Sequence, residues 1–338
     1  MSQDQGSGSG DVVGRPVAEA VEAVLAEDDS RDRATVRATL ERVAEDGVVT
    51  GSGIEGALAE LSKVVSTPET RVELAAIGLT DARETAEAEG VADLDTVRAR
   101  LDAFESRLDA VRARIDGLGP ELRAVIDRRE EGDVYAVAAG SRELEAEANE
   151  LHRAADELGV ELEEFGRWLT DPGTRYDELE EEVEAVEGSL EELAGSVEEL
   201  ATAVDEDDGT NAGGTERGAL PADPGVAWAD ATLRTRVTSL LVADLRAELA
   251  DLRAWPDGAA DGVDTARLDD AEARLDRLEG RCRSLAERLD GLARPAWTGR
   301  FGDRLDGFEA ATEGVEPPVP WGEVRAELER YREGVGTT

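Results

Sequence analysis

Residues 176–204 read YDELEEEVEAVEGSLEELAGSVEELATAV, with the apolar residues falling alternately three and four apart. Tyr176, Leu179, Val183, Val186, Leu190, Leu193, Val197, Leu200 and Val204 occupy the a and d positions of a seven-residue repeat. That spacing gathers all nine on one stripe of a helix, the seam of a coiled coil. The other faces are almost wholly acidic, with Arg175 the one basic residue at the start of the segment. The stretch fixes an architecture and names no chemistry.

The spacing recurs upstream in two series, from Leu94 to Val125 and from Val137 to Leu169, separated by the polar tip Glu130-Glu131-Gly132-Asp133. Antiparallel pairing sets Leu122 against Val137, Ile115 against Leu144, Leu108 against Leu151 and Leu101 against Leu158. It also sets the large Phe104 against the small Ala155, a sensible volume match. Arg100 then approaches Glu161 and Arg114 approaches Glu147, exposed pairs worth about 0.2–1 kcal/mol each. Residues 91–170 are therefore expected to form a helical hairpin about 50 Å long, at about 1.5 Å per residue. Gly119-Pro120 should kink or break its first helix, because proline removes a helical hydrogen bond.

Downstream, Leu233, Val237, Leu241, Leu245, Leu249 and Leu252 form one apolar face, and Leu268 to Leu292 carries another seam. Setting Leu252 against Leu268 brings Leu245 to Leu275 and Trp228 to Leu292, a second antiparallel hairpin. Its second helix carries Arg267, Arg274, Arg281 and Arg288 seven residues apart. A basic stripe in so acidic a chain calls for an acidic neighbour, and helix 176–204 is the nearest one. The two would complete a three-helix bundle, the alternative being that helix 176–204 packs on a second molecule. The stretch Pro317-Pro318-Val319-Pro320-Trp321, followed by a short helix from Gly322 to Arg332, either docks on the bundle or serves as a ligand for another protein.

Before residue 91 the apolar spacing is amphipathic but broken. Helices are expected around Val17–Leu25 and Val36–Val43, the latter closed by Asp46-Gly47. A third is expected over Ile54–Val65, with Pro68 opening the next. The whole reads as all-α: antiparallel coiled-coil hairpins and a helical bundle with a small N-terminal helical domain. Its parts are a disordered tail (1–10), the small domain (11–90), the first hairpin (91–170) and the acidic helix (171–204). A disordered linker (205–227), the second hairpin (228–294) and a Pro/Trp-containing tail (295–338) follow.

Composition narrows the function classes. Eighty acids against 37 basic residues give a net charge of −43, and Lys63 is the single lysine. Few lysines with abundant Asp, Glu, Ala, Val and Gly resemble the cytosolic proteomes of extreme halophiles, where salt screens like-charge repulsion. The charge argues against nucleic acid and anionic membranes as partners. One cysteine, Cys282, excludes intramolecular disulfides and cysteine-built zinc sites. No apolar run approaches the roughly 18 residues of a membrane span. Met1–Gly10 lacks the features of a signal peptide, so a cytoplasmic protein is expected.

No catalytic, cofactor-binding or metal-binding set stands out, and no small-molecule substrate is evident. His152, the single histidine, sits beside the first hairpin's seam without a second His or Cys nearby. Cys282 is expected as a small apolar core residue facing Thr238. The acidic run Glu178–Glu184 is dispersed around a helix, where a calcium site needs converging oxygens. Val49-Thr50-Gly51-Ser52-Gly53 lacks the lysine of a phosphate-binding loop and reads as a turn. Thr35–Leu61 has a helix–turn–helix outline with Arg31, Arg33, Arg37 and Arg42 near its first helix, but Glu55 and Glu60 stand where a groove-reading helix needs donors. The leading expectation is a non-enzymatic interaction or scaffold protein that binds a protein partner or itself through the seams 94–125, 137–169 and 176–204. The alternative is a DNA-associated regulator that reads DNA with residues 11–90 and dimerises through its coiled coils.

Overall fold

The structure is a computed structural model and describes residues 12–130, 132–209, 223–255 and 265–332. The tail expected over residues 1–10 lies outside these. So does most of the expected linker, while helix α6 runs on to Gly209 and α7 begins at Pro224. The fold is all-α, a helical bundle with one tiny sheet. Its order is α1 (Val17–Glu27), α2 (Arg33–Glu41), β1 (Ala44–Glu45), β2 (Val48–Val49), α3 (Gly51–Ala88), α4 (Asp95–Glu130) and α5 (Val134–Thr170). There follow α6 (Pro172–Gly209), α7 (Pro224–Ala254), α8 (Thr265–Leu292), α9 (Pro295–Thr312) and α10 (Trp321–Arg332). Among the described residues no helix is long and apolar enough to cross a membrane. The chain divides into two compact units, Met1–Thr85 with Arg100–Gly166, and Ala86–Ala99 with Arg167–Thr338.

In the first unit, Asp46-Gly47 does not close α2. Both residues have positive φ, 48° and 78°, and they turn a two-residue hairpin that pairs Ala44 with Val49 and Glu45 with Val48. That geometry is the primed turn that Asp-Gly favours, because it matches the twist of paired strands. The glycine-rich run after it caps α3: Thr50 Oγ1 accepts from Gly53 N at 2.9 Å. A Cβ on Gly53 would lie 2.4 Å from the Val43 carbonyl oxygen, so this contact needs a residue without a side chain.

Pro68 does not begin a new helix. It lies buried inside α3, between the core residues Val65 and Val72 on the same face, and their burial outweighs a cost of about 3 kcal/mol for proline in a helix. Nor does Gly119-Pro120 break α4, which runs unbroken from Asp95 to Glu130 with Pro120 exposed on its surface.

The α4–α5 hairpin forms, but displaced by about one heptad from the expected register. Arg107, not Arg100, donates to Glu161, at 2.8 Å. Phe104 stacks on Phe165 with ring centroids 5.5 Å apart instead of facing Ala155. A Cβ on Gly140 would come within 3.0 Å of Val125 Cγ2. Arg114 reaches Glu147 as expected, at 3.1 Å, and also Glu150 at 3.0 Å. A seven-residue slide returns every seam residue to a seam, so heptad spacing does not distinguish the two registers. The tight turn decides: α4 stays helical to Glu130, Gly132 takes φ 83°, and α5 starts at Val134.

The second unit holds the bundle of α6, α7 and α8. The opening seam is consumed here, with every residue from Tyr176 to Leu200 on it buried. Each such Leu or Val contributes about 1.5–3 kcal/mol on leaving water. The arginine stripe meets the acidic helix as expected: Arg267 pairs with Asp177 at 3.2 Å and Glu180 at 3.1 Å, and Arg274 with Glu187 at 2.7 Å. Arg288 binds Glu198 farther along. Partner numbers rise together, so α6 and α8 run parallel. On the other side of α8, Arg253 pairs with Asp269 at 3.0 Å and Arg246 with Asp276 at 2.7 Å. There the numbers run in opposite directions and α7 is antiparallel, near the expected register. Trp228 Nε1 donates to Leu289 O at 2.9 Å.

Two further arrangements close this unit. Arg175 is buried, donates to the carbonyls of Trp168 (3.0 Å) and Leu169 (2.9 Å) at the end of α5, and lies 4.0 Å from the ring centre of Trp255. The Pro/Trp-containing segment docks on the bundle: Asp244 of α7 accepts from Val319 N at 2.8 Å and from Trp321 Nε1 at 2.7 Å.

Candidate docking surface

The residues singled out in the sequence do not converge. His152 Nε2 lies 3.2 Å from Asp156 Oδ2, one turn away on α5, while its Nδ1 is buried without a hydrogen-bond partner. Asp156 also faces Arg71 of α3 at 3.4 Å. Cys282 is buried in the second unit beside Ser239, the neighbour of the expected Thr238. Burial pushes its thiol pKa up, against a weaker lowering by the Ser239 hydrogen bond. A cleft of about 510 Å³ between α7 and α8 has Cys282 in its lining, flanked by Arg246, Glu279 and Arg283, which pair with one another. In the acidic run, Glu180 serves Arg267. No group of three or more His, Cys, Asp or Glu suited to hold a metal occurs among the described residues.

Three of the four arginines near the first helix pair, Arg31, Arg33 and Arg42, are held by acids of their own unit. Arg31 pairs with Asp28 at 3.0 Å and lies 4.8 Å from the Tyr135 ring centre. Arg33 grips Glu22 with both nitrogens and holds its carboxyl below the usual range, with Arg37 adding to the field on the same group. Arg42 binds Glu145 of α5. Glu55, on the would-be reading helix, takes Arg129 at 2.6 Å.

Three aliphatic side chains of the first unit are instead left exposed. Leu74 and Ile77, one turn apart on α3, are 54% and 56% exposed, and Val160 on α5 is 55% exposed. Two contacts fix the relation of these helices within the first unit. Arg71 meets Asp156, and a Cβ on Gly78 would lie 3.5 Å from Leu162 Cβ. The numbers rise together, so α3 and α5 run parallel and Leu74 and Ile77 come level with Val160. Gly78 and Gly159, both half-buried, lie at the same level on the two helices. Apart from Arg71, which stands one turn from Leu74 and is paired with Asp156, the charged residues one turn from these side chains are acids. Glu73 and Asp81 stand one turn from Ile77, and Glu157, Glu163 and Glu164 one turn from Val160, all exposed.

The sequence held a faint signal for this face. Leu74 to Thr80 (LAAIGLT) is an uncharged run in a chain where 35% of residues are charged. Its two exposed aliphatic members, Leu74 and Ile77, are not separable by spacing alone from the core positions Ala75 and Leu79 between and beside them. Comparison of the chain with protein-family models, with curated proteins and with solved structures finds no match.

Proposed function

We propose that the chain is a non-enzymatic cytoplasmic interaction protein with a halophile-type acidic surface, and that it docks a partner helix on the Leu74–Ile77–Val160 face. One observation carries this reading: three aliphatic side chains stand more than half exposed at one height. Contiguous exposed apolar surface rimmed by polar groups marks interaction sites in soluble proteins. Seam 137–169 and the stretch Tyr176–Leu200 are buried within the chain, and Leu94, Phe104, Val111, Leu122 and Val204 of the remaining seam positions are half-buried, which supports a docking surface on this face over one on the seams. The bordering acids favour a partner whose apolar stripe is flanked by Arg or Lys, because complementary potential steers encounter and fixes orientation. A second copy would bring acid against acid.

The DNA-associated reading draws less support. Acids of the same unit pair with Arg31, Arg33 and Arg42, which leaves little positive charge for phosphate.

A photo-crosslinking residue at Thr80, used in native cytosol at molar salt, tests the proposal. The expected result is one crosslinked partner segment, apolar with a basic rim, lost when Leu74→Glu and Ile77→Glu are introduced together. Crosslinking that survives both substitutions, or that captures only an acidic segment or a second copy, overturns it. Circular dichroism of the variant checks that the fold is retained.

A further inference from the structure

Within the second unit a cleft of about 510 Å³ opens between α6, α7 and α10. Val237 and Leu241 of α7 and Trp321 and Leu328 of α10 line it, all half-buried, so each turns apolar surface into the open space. Behind them Val186 and Leu245 are buried. The size lies within the range of about 300–1,000 Å³ common to small-molecule sites, which are lined by apolar and aromatic groups with a few placed polar ones.

The cleft is elongated. Asp244 holds Trp321, and Asp230 holds Arg332 at 2.9 Å, so α10 runs antiparallel along α7. From Trp321 to Leu328 the wall extends about 10 Å, at about 1.5 Å per residue.

Its polar groups are Glu182, Ser189, Asp244 and Arg325. Both oxygens of Asp244 are taken by Val319 N and Trp321 Nε1. Glu182 stands on α6, across from α10, and has interactions of its own. Arg325 makes no hydrogen bond or ion pair among the described residues. Its neighbours on α10 differ: Arg330 pairs with Glu327, and Arg332 with Asp230. In a chain with more than two acids for every basic residue, an arginine left over at the mouth of an apolar cleft has a charge to offer a ligand.

We infer that this cleft binds an elongated apolar molecule that ends in a carboxylate, such as a medium-length acyl or isoprenoid acid. The chain lies along Val237, Leu241 and Leu328, and the carboxylate meets the Arg325 guanidinium. Arginine suits this role because its planar fork donates to both carboxylate oxygens at once. The site is separate from the docking face on α3 and α5 and does not depend on it.

Isothermal titration calorimetry of the full chain with decanoate and with decanol tests the inference, at the lowest salt that preserves helicity. The expected result is decanoate binding about tenfold or more tighter than decanol, the margin of one charge-assisted contact. Arg325→Gln, an exposed substitution that leaves the fold intact, should bring decanoate down to the level of decanol. Leu241→Trp should fill the cleft and remove both. Absence of decanoate binding, binding indifferent to Arg325→Gln, or binding that survives Leu241→Trp overturns the inference.

Discussion

Arg274 on α8 and Glu187 on α6 face each other with two hydrogen bonds, Nη2–Oε2 at 2.7 Å and Nε–Oε1 at 3.1 Å, midway along two parallel helices. The Arg274 side chain is only 13% exposed, so the pair is shielded more than most surface ion pairs. Arg274→Met should cost about 1–2 kcal/mol, between the values for exposed and for broken buried pairs. Urea denaturation of the two proteins measures it.

The same pair gives a pH dependence of known sign. Arg274 holds the Glu187 carboxyl below its usual range. A depressed folded-state value contributes stability that is fully present above the unfolded carboxyl value of about 4.3 and fades as pH falls through the lower folded one. The gap in denaturation midpoint between the original chain and Arg274→Met should therefore persist at pH 7 and shrink below about pH 4.

The displaced register of the α4–α5 hairpin is open to a crosslinking test. Cysteines at Val125 and Gly140 would have Cβ atoms close to the roughly 3.5–4.5 Å that a disulfide spans. They should join readily under mild oxidation. Cysteines at Leu108 and Leu151, opposite in the register that heptad spacing first suggests, should remain reduced. Non-reducing electrophoresis separates the outcomes, and Cys282, buried in the other unit, does not interfere.

Pro120 sits exposed inside an unbroken helix. It makes no packing contribution that would offset the missing hydrogen bond, so Pro120→Ala should stabilise the chain by about 1–3 kcal/mol. A rise in the thermal midpoint measured by circular dichroism is the expected sign. Pro68→Ala, at a buried ring, should gain less.

Salt should act strongly. At a net charge of −43, lowering ionic strength from molar to about 10 mM lengthens the Debye screening from about 3 Å to about 30 Å. Helical content should fall as the acids repel one another. Helicity unchanged across that range would remove the halophile reading.

The parts of this fold that were legible in the sequence rest on pairwise chemistry. Arg267, Arg274 and Arg288 pointed at the Glu-rich helix by charge, and its nine seam residues pointed inward by spacing. Where two answers shared one pattern, the sequence was silent. A one-heptad slide leaves the Leu94–Val125 seam facing the same partner seam, and only the turn at Gly132 and the notch at Gly140 select a register. Local rules failed where packing overrode them, at Pro68, and where a turn residue served a strand pair instead of a helix end, at Asp46-Gly47. Leu74 and Ile77 were hidden for a related reason: spacing reports which residues share a face, not whether a neighbour covers it.

The parallel course of α6 and α8 has a consequence for the continuity of the backbone. No contact that holds α6 against α8 depends on the peptide link between Gly209 and Asp223, because side chains supply them: Arg267, Arg274 and Arg288 on one helix, Asp177, Glu180, Glu187 and Glu198 on the other. A single protease cut in that stretch would leave two fragments that stay associated until denaturant parts them. The bundle is thus closed by arginine and seam rather than by covalent order.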